Sequence, residues 1–156
     1  MASWRSFWRL TRLERLLLLR AMLLLPLTSL ALRLVGFRRL QALLVRRLPA
    51  APEFSREPAV ERAALTARMV RAAARRDPGR PNCLKQSVVL WWLLRRQGIP
   101  AELRIGVRKT GQVLEAHAWV EHEGAPLHEE EDLHEHYAPF EGPLAAASPG
   151  TGTQPR

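Results

Sequence analysis

From residue 10 to residue 48 almost every position not held by arginine is leucine or another apolar residue, a density and spacing that predict core helices. Pro26 falls in the middle of the run. It lacks a backbone N–H and crowds the preceding turn, so the pattern reads as two helices, Ser3 to Leu25 and Leu27 to Leu48, broken or kinked at that proline. The segment LPAAPEFSREP that follows holds three prolines and reads as a loop. A third helix is expected from Ala59 to about Arg76, with Val60, Ala64, Leu65, Met69 and Val70 on its apolar face, stopped by the run Asp77 to Pro81. Asn82 then suits the cap of a fourth helix, Cys83 to Gly98, which is apolar almost all round and should be the central buried helix.

After Ile99 and Pro100 the period changes from helical to alternating. Ala101, Leu103, Ile105 and Val107 alternate with Glu102, Arg104, Gly106 and Arg108, the mark of a strand. Lys109 to Gln112 supplies a turn, and Val113 to Glu121 a second strand that puts Glu115, His117 and Trp119 on one side and Leu114, Ala116, Ala118 and Val120 on the other. A second turn at Glu123 and Gly124 leads to a short third strand, Ala125 to Glu129, completing an antiparallel meander. The segment from Gly142 to Arg156 is rich in Gly, Ala, Ser, Thr and Pro and reads as a disordered tail. Three regions follow: apolar, basic helices over 1–50, a core over 51–141, and the tail over 142–156.

At 156 residues the chain has room for one domain with a real core, and 47% hydrophobic with 25% charged residues excludes a wholly disordered chain. The net charge of +9 is lopsided: residues 1–50 carry ten arginines against Glu14 alone, while residues 109–156 are strongly acidic. Lys85 and Lys109 are the only lysines. Arg20 and Arg33 leave twelve uncharged residues between them, short of the roughly 20 that a spanning helix needs, and no signal-peptide pattern is present. The expected place is therefore the cytoplasm, with an interfacial membrane contact kept open by the leucine-plus-arginine composition. The arginines are interleaved with core leucines and no recognised motif accompanies them, which argues against nucleic acid. Five histidines, His117, His122, His128, His134 and His136, lack the spacing of a metal motif, and all but the first fall in a polar stretch read as exposed; no metal or cofactor is expected.

The lone Cys83 excludes an internal disulfide. Its position at the first turn of a helix is chemically suggestive, because unpaired backbone N–H groups and the helix dipole favour a thiolate there. The dipole alone contributes only about 0.3 to 1 kcal/mol, so a nucleophile would need a charged partner, and His117 on the second strand is the candidate. An inert buried thiol is the competing reading. Asn82 and Gln86 are candidates to assist an oxyanion site beside the Cys83 N–H. Trp119, two residues after His117, would shield the pair from water, line a groove or simply pack in the core, and Trp91 and Trp92 read as packing.

The pieces CLxxS at Cys83 to Ser87, RRxGIPAxLRIGV from Arg95 to Val107, AHAWVE from Ala116 to Glu121 and YAPF from Tyr137 to Phe140 closely resemble the catalytic region of lasso-peptide leader peptidases. These are B-type biosynthesis proteins whose fold resembles transglutaminases and papain-like proteases. The resemblance implies an α+β fold, a helical N-terminal half packed on a small antiparallel sheet around a transglutaminase-like core. It makes Cys83 the nucleophile and His117 the general base and acid. The third member is normally an aspartate twelve residues past the histidine; here Glu129 stands at that place, with Asp132 as an alternative. The implied substrate is a ribosomally made precursor peptide, the implied partners a separate leader-recognition protein and a macrolactam synthetase. The readings that compete with a peptidase are another acyl-transfer enzyme on the same triad and a non-catalytic binding module.

Overall fold

In the computed structural model, residues 10–48, 56–77, 82–110, 113–127 and 138–139 are described, those at 56–58, 108–110, 113–114 and 138–139 by their backbone alone. Four helices, α1 (Arg12–Leu34), α2 (Phe37–Arg46), α3 (Arg56–Ala74) and α4 (Cys83–Arg96), precede an antiparallel sheet of β1 (Glu102–Thr110), β2 (Val113–His122), β3 (Ala125–Pro126) and β4 (Ala138–Pro139). Sheet order is β3-β2-β1-β4. This is the α+β architecture expected. The meander is present, though its third strand is Ala125–Pro126, shorter than the Ala125 to Glu129 expected, and β4, which pairs Gly106 with Pro139 and Val107 with Ala138 across β1, adds a strand that the sequence pattern did not reveal. The tail from Gly142 to Arg156 lies outside the described residues.

The first helix departs from expectation at both ends and in the middle. It begins at Thr11, where the side-chain oxygen accepts the Glu14 N–H at 3.2 Å and the Glu14 carboxylate accepts the Thr11 N–H at 2.8 Å. That reciprocal pair is written in the sequence as T-x-x-E. The Thr11 hydrogen bonds, helped by the Arg68 guanidinium, hold the Glu14 carboxyl below its ordinary range. Their stabilisation is therefore in place above the unfolded carboxyl's pKa of about 4.3 and fades as pH falls through the lower folded value.

Pro26 does not break the helix. The carbonyl it leaves without a helical donor belongs to Met22, and both residues are exposed, so water can serve it. The break falls instead at Gly36, whose φ of 76° few other residues tolerate, and α2 starts there. A second such glycine, Gly98 at φ 77°, closes α4 as the sequence implied.

The α3 face that packs inward matches the expected one only in part: Met69 and Val70 are buried and Leu65 packs on the core, but Val60 and Ala64 face outward. Ala59, Ala63, Ala67, Val70 and Ala73 are buried while Val60 is half exposed. Small side chains at this spacing let α1 lie close, through Leu17, Leu18, Ala21 and Leu25, and a larger apolar residue is left outside. Helix α4 fills the centre: Val88, Val89, Leu90, Trp91, Leu93 and Leu94 are all buried, and Leu103 of β1 and Val120 of β2 close the core from the sheet side.

Candidate active site

Cys83 opens α4. Asn82 is its N-cap, its side-chain oxygen accepting the N–H groups of Leu84 at 2.9 Å and Lys85 at 3.4 Å. That oxygen is thereby engaged in capping, while the Cys83 N–H lies ahead of the capped pair. The Cys83 side chain is half-buried, not sealed in the core.

Helix α4 meets β2 through a hydrogen bond from the Ser87 hydroxyl to the Ala118 carbonyl, 2.8 Å long and fully buried. The strand geometry explains why that carbonyl needs it. Leu127 donates its N–H to Val120 on the β3 side of β2, and in an antiparallel ladder alternate residues point their backbone groups the same way, so the Ala118 carbonyl faces that side too. Among the described residues β3 pairs only with Glu121 and His122 and does not reach Ala118. Left unpaired, a buried carbonyl costs about 1–3 kcal/mol, which Ser87 offsets. Ser87 is one turn after Cys83 on the same side of α4, about 6 Å along the axis, and Ala118 is the residue after His117. The helix that begins at Cys83 is thus fastened to β2 at the residue that follows His117.

His117, Trp119 and Glu121 share the other face of β2, as the alternation required. Trp119 is fully buried, its ring 6.4 Å from that of His117 and tilted only 16° from it. Its indole N–H donates to Glu121 Oε1 at 2.8 Å, and Glu121 Oε2 accepts the Arg104 Nε–H at 3.0 Å from the neighbouring strand. Arg104 also reaches Glu102 at 2.7 Å. The alternating H-x-W-x-E of β2 is thus a rack in which a fixed carboxylate holds the indole beside the imidazole. Among the readings open for Trp119, the packed one is observed, with its flat side against the site. Trp92 is less buried than expected and carries the Arg96 guanidinium 5.3 Å above its ring.

Two residues into α4 sits a pair that sequence reasoning missed. The Lys85 ammonium lies 2.5 Å from the Asp77 carboxylate, the side chains only 4% and 7% exposed. A lysine in a chain of arginines, inside an apolar helix, was the signal available. The pair ties the N-terminal turn of α4, and with it Cys83, to the end of α3.

Glu129, Asp132, Tyr137 and Phe140 lie outside the described residues, as do His128, His134 and His136. His122 does not fit the exposed reading: it is buried, and its Nδ1–H donates to the Pro100 carbonyl at 2.6 Å because β2 runs on through His122 before turning. Among the described residues no three metal-ligating side chains gather.

The cysteine thus stands at a capped helix start, on a helix fastened to the strand that bears His117 beside a buried tryptophan. A family model described as the transglutaminase-like superfamily matches residues 8–141, and the chain belongs to that superfamily. The superfamily includes cysteine peptidases and acyltransferases. Neither the curated proteins nor the solved structures hold a match to the chain.

Proposed function

We propose that the protein is a cysteine peptidase that removes the leader from a ribosomally made lasso precursor. The Ser87 to Ala118 hydrogen bond carries this reading, because it joins the helix that begins at Cys83 to the strand that bears His117. The Cys83 thiolate attacks the carbonyl at the leader–core junction, and the backbone N–H of Cys83 steadies the oxyanion. Collapse of the tetrahedral adduct breaks the C–N bond, the His117 imidazolium gives its proton to the departing core amine, and the leader stays on sulfur as a thioester. Water, losing its proton to His117, then releases the leader as a carboxylate and restores the thiol. Glu129 orients the imidazole, its carboxylate one methylene longer than the usual aspartate, with Asp132 as the alternative.

As the family resemblance implies, the reading includes a separate leader-recognition protein. The freed core amine is the substrate of a macrolactam synthetase. The test is the mass of the product when the chain, the precursor and the recognition protein encoded beside it are incubated in heavy-oxygen water. A leader ending in a carboxylate with one heavy oxygen is expected. A leader joined to an amine would assign a different acyl transfer, and an uncut but bound precursor a binding module; either overturns the peptidase.

A further inference from the structure

Helix α1 is apolar on two opposite faces, and the core uses only one. Leu17, Leu18, Ala21, Leu25 and Thr28 pack inward. Leu16, Leu19, Leu23, Leu27, Leu30 and Leu34, spaced by three or four residues, form an unbroken outer stripe, with Leu23 63% and Leu34 74% exposed. The stripe runs from Leu16 to Leu34, or about 27 Å. A surface helix ordinarily turns polar residues outward, so a leucine stripe of this length calls for an occupant.

The charges around it say which. The exposed charged residues of α1 are Arg12, Arg20 and Arg33, and those of α2 are arginines as well, with no acid among them. A second copy of the chain, meeting the stripe with the same stripe, would set arginine against arginine with no carboxylate between them. An anionic lipid surface supplies both complements, acyl chains for the leucines and phosphates for the guanidiniums. Beside the stripe lies a cleft of about 290 Å³ whose lining includes Arg20 and Leu23 of α1 and Trp92 and Arg96 of α4. Two guanidiniums and an indole, with no acid in the lining, match a lipid phosphate at the level where its chains begin. α1 is long and apolar enough to cross a bilayer by length and composition, yet its inner face is spent on α3 and α4. Contact in the plane of the interface keeps both faces covered.

We propose that the outer stripe of α1 seats this protein on an anionic bilayer surface, with lipid phosphates entering the Arg20 and Arg96 cleft. The test is co-sedimentation of the full chain with vesicles of phosphatidylcholine alone and of phosphatidylcholine mixed with phosphatidylglycerol. Strong partitioning into the mixed vesicles alone is expected. The triple variant Leu23→Glu/Leu27→Glu/Leu30→Glu should lose it while keeping the wild-type circular dichroism, because all three positions are already in solvent. Arg20→Ala and Arg96→Ala should each weaken it by about fivefold. Absence of partitioning, or equal partitioning into both vesicles, overturns the proposal. So does a dimer in sedimentation velocity, or an acidic partner protein, that the triple variant releases when vesicles do not bind. None of these outcomes depends on the peptidase reading, which is tested on the precursor.

Discussion

Cys83→Ala is expected to lower precursor cleavage by at least about 10⁴-fold, the scale on which removing a covalent nucleophile acts. That factor corresponds to about 5.5 kcal/mol of transition-state stabilisation. The chain has one cysteine, so no second thiol can substitute. The fold should be unaffected, since the Asn82 cap acts on Leu84 and Lys85 and alanine is at home in a first helical turn. His117→Ala is expected to cost a similar factor, and the double variant scarcely more than either one, because a nucleophile and its base act as a unit. The same cleavage assay separates the two acids: the amide variant of the carboxylate that orients His117, Glu129→Gln or Asp132→Asn, should approach that loss, and the other should stay within a few-fold of wild type.

The second large effect is on stability. Asp77→Asn would leave the Lys85 ammonium buried and uncompensated near the positive end of the α4 dipole, a placement unfavourable on both counts. Breaking one side of such a pair costs about 3–5 kcal/mol, which in a chain of this size lowers the melting temperature by about 10 °C. The paired replacement Lys85→Met/Asp77→Leu should recover most of the loss, because two apolar side chains of similar volume no longer carry a desolvation penalty. Thermal denaturation of the three proteins reads this directly. A melting temperature unchanged in Asp77→Asn would mean that the pair does not hold the start of α4.

Why these features differed in legibility is physical. The hairpin stood out because its period of two persists along both strands, and the buried fourth helix because it is apolar almost all round, with Asn82 and Gly98 marking its ends. Pro26 misled because the cost of a proline depends on whether the orphaned carbonyl meets water, which is a tertiary property. The inward face of α3 was misread in part, at Val60 and Ala64, for a related reason: alanine is weakly hydrophobic, so Ala59, Ala63, Ala67 and Ala73, which allow close approach, do not stand out as core. At the candidate site, residue type and place in the elements singled out Cys83 and His117, and the family resemblance gave them their roles. Ser87 and the Lys85 to Asp77 pair were not, because each is defined by a partner distant in sequence that only the packing supplies.

The most direct test of the central claim needs neither precursor nor partner: the rate at which iodoacetamide alkylates Cys83 at neutral pH, followed by intact mass, in wild type and in His117→Ala. With the sulfur and the imidazole acting as one unit, alkylation should slow by at least about tenfold when the ring is removed. An unchanged rate would mean that the two side chains do not meet, and the acyl-transfer chemistry built on them would fall.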